Sequence, residues 1–194
     1  MDEFFTHLFK ISDPLYKPPF RGWVHLGGDR RRQLLRGEVQ QEEPVVVTHA
    51  MGGKPTDFIW TTSVGSMIVH RRVLDIMENE DFTGWRPYAV QVIGKDGEEI
   101  PGYSGISITG RCGALDPDLS EIFMKRFPAR EAPMYRGLYF HRETWDGSDF
   151  FCPITPGCTY KFITERVQQA FKKAKLRNVM MQRLDEIETS PSSL

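Results

Sequence analysis

Apolar and polar positions alternate irregularly at the start of the chain and more regularly towards its end. The first 56 residues are poorly patterned: Pro14, Pro18 and Pro19 punctuate them, and Gly27-Gly28 interrupts them. Within this stretch residues 29–36 predict a short helix and residues 45–49 a strand. From Asp57 onward the pattern sharpens, with β-rich runs at 58–61, 88–93, 104–109 and 135–140. Ser104, Ile106 and Ile108, separated by Gly105 and Ser107, have a period of two with small outward residues. That suits a strand in the middle of a sheet, one that another backbone can approach closely. Lys95-Asp96-Gly97-Glu98 predicts a tight type I′ turn, which pairs 88–93 antiparallel with a strand beyond Glu99.

The chain also echoes itself. Asp57-Phe58, then Ser66-Met67-Ile68-Val69-His70-Arg71-Arg72-Val73, an acidic helix and Tyr88-Ala89-Val90 run parallel in type to a later segment. That segment is Asp149-Phe150, Tyr160-Lys161-Phe162-Ile163-Thr164-Glu165-Arg166-Val167, a basic helix and Val179-Met180-Met181. Each copy reads strand, helix, strand; the alternative is a chance likeness of two amphipathic β-α-β segments. In the second copy Thr164 sits at an N-cap and Val167, Ala170, Phe171 and Ala174 form an apolar stripe. In the first copy His70 stands where Thr164 stands, and Val73, Ile76 and Met77 make a shorter stripe. The expected fold is α+β: a mixed, mainly antiparallel sheet with two echoed strand-helix-strand units whose helices pack on it. Its divisions are an N-terminal extension over 1–56, a body over 57–188 and a disordered tail over 189–194.

The two helices differ in charge. Asp75, Glu78, Glu80 and Asp81 make the first acidic, whereas Lys172, Lys173, Lys175 and Arg177 make the second basic. Over the whole chain Lys+Arg 25 against Asp+Glu 26 leaves a net charge of -1, so no global field draws nucleic acid or an anionic membrane. At 194 residues and 40% hydrophobic content the chain can build a core without covalent staples. Three cysteines do not make a disulfide framework, so reduced thiols are expected. The acidic Met-Asp-Glu start and the lack of a membrane-length apolar run point to a cytoplasmic protein with no membrane partner.

Candidate chemistry is sparse. Cys112, between Arg111 and Gly113, could be a thiol activated by the neighbouring guanidinium, against the reading of a buried structural cysteine. Glu143, Asp146 and Asp149 crowd a segment that could supply a carboxylate pair or a calcium loop, but Asp146-Gly147-Ser148 reads first as a turn that Trp145 anchors. Cys152 and Cys158, with Cys112 or His141, have the wrong spacing for zinc, and Pro153 and Pro156 stiffen the loop, so no metal and no cofactor are expected. No phosphate-binding loop, nucleophile elbow or zinc-protease motif occurs. The arginines at 30–32 are offset by Glu38, Glu42 and Glu43, and the basic helix lacks interleaved aromatics, which disfavours nucleic acid. Among the tryptophans, Trp60 and Trp145 are assigned to the core and Trp85 to partial exposure.

Several blocks together resemble a known family: Asp57-Phe58-Ile59-Trp60, Ile68-Val69-His70-Arg71-Arg72-Val73, Pro101-Gly102-Tyr103, Thr109-Gly110-Arg111-Cys112-Gly113, Tyr135-Arg136-Gly137-Leu138-Tyr139-Phe140 and Trp145-Asp146-Gly147-Ser148-Asp149. In order and spacing they are similar to stand-alone members of the eleventh immunity-protein family of bacterial polymorphic toxin systems, over about 57–188. The resemblance implies an α+β protein that binds and neutralises a cognate toxin by occlusion. It supplies no catalytic residues. On that reading the contact surface is expected at Asp75, Glu78, Glu80, Asp81 and Trp85, where an acidic patch suits a basic toxin. The alternatives are a small hydrolase or transferase using Cys112 with Arg111, or Asp146 with Asp149, and a nucleic-acid-binding module using the basic helix. The oligomeric state is left open by the sequence.

Overall fold

A computed structural model describes residues 3–14, 19–62, 65–128, 130–155 and 158–191. Pro18, Pro156 and residues 192–194 of the expected tail lie outside the described residues. In chain order the elements are β1 (Leu8–Ser12), β2 (Phe20–Val24), α1 (Gly28–Leu35), β3 (Val45–Gly52), β4 (Phe58–Thr61), β5 (Met67–His70), α2 (Arg71–Asn79), β6 (Trp85–Ile93) and β7 (Tyr103–Ile108). They continue with β8 (Gly110–Cys112), β9 (Glu121–Arg126), β10 (Glu131–Arg136), β11 (Phe150–Pro153), β12 (Phe162–Thr164), α3 (Glu165–Lys173), β13 (Met180–Arg183) and β14 (Glu188–Thr189). The fold is α+β and mostly sheet. Strands β2-β3-β6-β7-β5-β4 close into a barrel, β13-β1-β12-β11-β8 form an open sheet, and β14-β10-β9 form a small third sheet. Parallel pairing is confined, among the described residues, to β2–β4, β3–β6 and β8–β11.

The echo in the sequence is a repeat in the hydrogen bonding. In the barrel β4 pairs antiparallel with β5, β5 with β7, and β7 with β6. In the open sheet β11 pairs likewise with β12, β12 with β1, and β1 with β13. The registers correspond residue for residue. Phe58 faces Val69 where Phe150 faces Ile163, and Tyr88 faces Gly105 where Gln182 faces Lys10. β2 lies parallel to β4 as β8 lies parallel to β11. Each repeat thus contributes two strands, two further strands, a helix and a last strand, and the first strands are exchanged. β1, from the first repeat, completes the second repeat's sheet, while β7, from the second, completes the first repeat's barrel. Residues before Asp57 therefore supply strands to both large sheets.

β4 is buried on both faces, and period-two alternation divides its side chains between two cores. Phe58 and Trp60 point into the space between the two sheets, where Val73 and Met77 of α2 and Val167 and Phe171 of α3 also pack. Ile59, between them, points into the barrel with Phe20, Val47, Ile68 and Val92. In β11 Phe150 takes the shared core, whereas Phe151 faces a third cluster with Phe5, Phe140, Phe162 and Leu184. Each fully buried Phe contributes roughly 2–3 kcal/mol of transfer free energy.

Both helices start and stop as the echo requires. His70 caps α2 by accepting from the Arg72 N–H at 3.3 Å, and Asp81 (φ 51) ends that turn in the left-handed region. Thr164 stands at the matching position of α3, and Lys175 (φ 52) ends it. The Thr164 hydroxyl, however, does not bond its own helix; it donates to Asp149 Oδ1 at 2.9 Å. The buried stripe of α3 is Val167, Gln168 and Phe171, with Ala170 only partly covered.

Other expectations change in detail. The turn after β6 is not type I′, because only Gly97 has positive φ (85) and Gly94 O accepts from Gly97 N. It is a type I turn closed by a left-handed glycine, and it still brings Ile93 opposite Glu99. Gly105 is approached by a ring and not by a backbone: a Cβ there would meet the Tyr88 ring at 2.0 Å. The run at 135–140 is divided, since β10 ends at Arg136 and Leu138 to Phe140 cover the open sheet instead.

Candidate functional site

The third sheet differs from the other two in what it leaves uncovered. β9 is its edge strand, paired on one side with β10 from Glu121↔Arg136 to Arg126↔Glu131. On one face of the hairpin Glu121, Arg136, Lys125 and Glu188 interlock: Arg136 reaches Glu121 at 3.0 Å and Glu188 at 3.6 Å, and Lys125 reaches Glu188 at 2.6 Å. The Arg136 guanidinium also lies 4.6 Å over the Phe123 ring. The Lys125 hydrogen bond and the neighbouring charges hold the Glu188 carboxyl below its ordinary pKa. The opposite face carries Ile122, 63% exposed, and Met124, 60% exposed, with Pro133 beside Met124. Leu119 and Phe127, at the two ends of β9, are exposed as well. Ion pairs on one side thus brace a hairpin whose other side holds Ile122 and Met124 in water, with the exposed Arg126 and Glu131 at its tip.

A cleft of about 530 Å³ opens next to the hairpin and shares Leu119, Glu121 and Arg136 with it. Its far wall comprises Tyr139, Phe140, His141, Arg142 and Asp185. His141 is tied to Asp116 at 3.2 Å. The cleft takes in Glu121 and Arg136 from the ion-paired face of the hairpin and touches neither Ile122 nor Met124.

The acidic set around α2 is only partly available for a partner. Arg71 holds Asp75 at 2.7 Å and Glu78 at 2.8 Å, leaving Glu80 and Asp81 exposed and outside any ion pair among the described residues. Trp85 is half-buried against the shared core and donates its indole N–H to Phe82 O at 2.8 Å, so it secures the loop from within. Trp60 is in the core, Trp145 is half-buried, and Trp23, at 53%, has the greatest exposure of the large aromatic side chains among the described residues. Lys172, Lys173, Lys175 and Arg177 are exposed on and after α3 and pair with no carboxylate among the described residues.

The residues considered for catalysis are held in structural roles. Cys112 is buried with Phe5, Phe140 and Phe162, and burial pushes its thiol pKa up, opposite to what a nucleophile needs. Arg111 turns its guanidinium to the carbonyls of Ile108, Gly110 and Arg36 and to the Cys152 sulfur, not to Cys112. Burial likewise raises the Cys152 and Cys158 thiols. Asp146 closes its own turn, accepting from Ser148 N at 3.0 Å and from Arg111 N at 2.7 Å, and Trp145 donates to Ser148 O. Asp149 is buried and accepts from Thr83, Thr164 and Arg166. Among the described residues no three His, Cys, Asp or Glu side chains converge as a metal site would require. No helix there is long and apolar enough to cross a membrane.

The residues of β9 escaped the sequence reading for a physical reason. Ile122-Phe123-Met124 is a continuous apolar run, which reads as a strand covered on both faces, and only the tertiary fold shows that among the described residues Ile122 and Met124 stay exposed. The sequence matches no curated protein. The sequence model of an immunity protein family, Imm11, matches residues 5–185, from before β1 to just past β13 and beginning well upstream of residue 57, where the resemblance starts. The chain belongs to the Imm11 immunity protein family.

Proposed function

We propose that this protein binds a cognate toxin and neutralises it by covering its active surface, with the Ile122–Met124 face of the β9–β10 hairpin as the central contact. The observation that carries this reading is the pair of neighbouring side chains on β9, each about three-fifths exposed, on a hairpin braced from behind by the Lys125–Glu188–Arg136–Glu121 ion pairs. A preformed apolar ridge loses little conformational entropy on binding, and a few central anchors supply most of an interface's affinity. Glu80 and Asp81, with the Arg71-paired Asp75 and Glu78, form a second surface that speeds encounter with a basic toxin.

The test is protection of cells that express a cognate toxin domain. The wild-type protein restores growth, and the Ile122→Asp/Met124→Asp double variant fails to do so while keeping its thermal unfolding midpoint. Charge reversal of Asp75, Glu78, Glu80 and Asp81 slows association without abolishing protection. Full protection by the double variant would remove the hairpin from the interface.

A further inference from the structure

The two repeats correspond residue for residue, so the places where they differ in chemistry are informative. In the first repeat Trp60 and Met67 face each other across β4 and β5, and both are buried in the shared core. In the second repeat the same two positions hold Cys152 and Lys161. A thiol replaces the indole, and an ammonium replaces the thioether. Lys161 keeps the place of Met67 in the ladder, its carbonyl accepting from Ile11 N at 3.0 Å as Met67 pairs with Ile106.

A cavity of about 400 Å³ opens where the large apolar pair is missing, between α1 and a wall made by Cys152, Ile154 and residues 158–161. That volume is in the range of small-molecule sites. Leu35, Ile108, Ile154 and Tyr160 give it apolar walls. Of the cations that line it, Arg32 pairs with Asp29 and Arg36 with Glu38 at 2.9 Å. Lys161 is 8% exposed, pairs with no carboxylate among the described residues, and donates only to Thr159 O at 3.4 Å. Lys161 thus presents an ammonium to this cavity at a position where the sister repeat buries the thioether of Met67.

We infer that this cavity binds a small organic anion with an apolar body, its acid group set against Lys161 and its body against Leu35, Ile108 and Ile154. The inference is independent of how the protein contacts a toxin, because the cavity and the β9–β10 hairpin have no lining residue in common.

The experiment is calorimetric titration of the full chain at pH 7 with octanoate, with acetate (the same head without the body) and octylamine (the same body with opposite charge) as controls. Octanoate is expected to bind one to one, at least ten-fold more tightly than either control. Lys161→Met, which installs the first repeat's own residue, is expected to weaken octanoate at least ten-fold. Leu35→Trp, which keeps Lys161 and narrows the cavity, is expected to weaken it too and guards against a folding defect in the first variant. Equal binding of octylamine, equal binding by both variants and wild type, or no octanoate binding at millimolar concentration would each overturn the inference.

Discussion

Asp57 and Asp149 are equivalent residues, and each ties its own strand to the far end of the other repeat's helix. Asp57 accepts from Arg72, the second residue of α2, at 3.3 Å and from the backbone N–H of Arg177, beyond α3, at 2.7 Å. Asp149 accepts from Arg166, the second residue of α3, at 3.2 Å and from the backbone N–H of Thr83, beyond α2, at 3.0 Å. The two arginines complete the exchange, Arg72 donating to Ala174 O and Arg166 to Glu80 O. Both carboxylates are buried, so the pair works as a reciprocal clasp between the repeats.

Replacing either carboxylate by the neutral amide keeps the shape but gives one buried backbone N–H a weaker acceptor or none. Asp57→Asn and Asp149→Asn are each expected to lower stability by about 2–3 kcal/mol in urea unfolding. Asp149→Asn should be the more damaging, because Asp149 also holds the Thr83 and Thr164 hydroxyls. A loss below about 0.5 kcal/mol for both would show that the clasp is incidental.

The exchanged strands bear on where the chain can be cut. A fragment starting at Asp57 lacks β1, which sits between β12 and β13, and lacks β2 and β3 from the barrel wall. Such a fragment is expected to show no cooperative thermal transition by circular dichroism. A sharp transition would mean that residues 57–188 form a body of their own.

Lys161 gives the protein a pH signature. Burial holds its pKa down to about 8, against 10.5 in the unfolded chain. Below pH 8 both states are protonated and the folded state bears the whole desolvation penalty, on the order of 3 kcal/mol. Between these values the unfolded chain binds more protons, so Lys161's contribution to stability rises with pH. Asp29, Arg32, Arg36 and Glu38 near α1, Cys152 on β11, and Cys158 and Tyr160 in the connection face the same cavity and are shared by the Lys161→Met variant, so they largely cancel in a comparison. Lys161→Met is expected to be the more stable protein at pH 7, with its advantage shrinking by pH 10. An advantage that does not change with pH would contradict the burial of a charged amine.

Much of the fold was legible because local and tertiary signals agreed. The β4 run and the two helices carry their period, α2 also carries its cap, and the echo from Asp57 to Val73 is written in matching residue types; its last strand is offset by three, since Tyr88 corresponds to Gln182 and not to Val179. What could not be read is what depends on chain exchange. The Leu8–Ser12 strand is short and follows no turn signal that names its partners, yet it becomes an interior strand of the second repeat's sheet. For the site, Asp75 and Glu78 look free in the sequence, and only the helical spacing that puts both within reach of Arg71 shows how their charge is balanced. Cys112 lies between residues that suggest activation, but the guanidinium beside it turns the other way.

The central claim is that Ile122 and Met124 anchor a toxin. Its most direct measurement is the equilibrium dissociation constant of the purified chain for a cognate toxin domain, for the wild type and for Ile122→Asp/Met124→Asp. Removing two central anchors is expected to weaken binding at least 100-fold, with the unfolding midpoint unchanged. Equal dissociation constants for the two proteins would contradict the account.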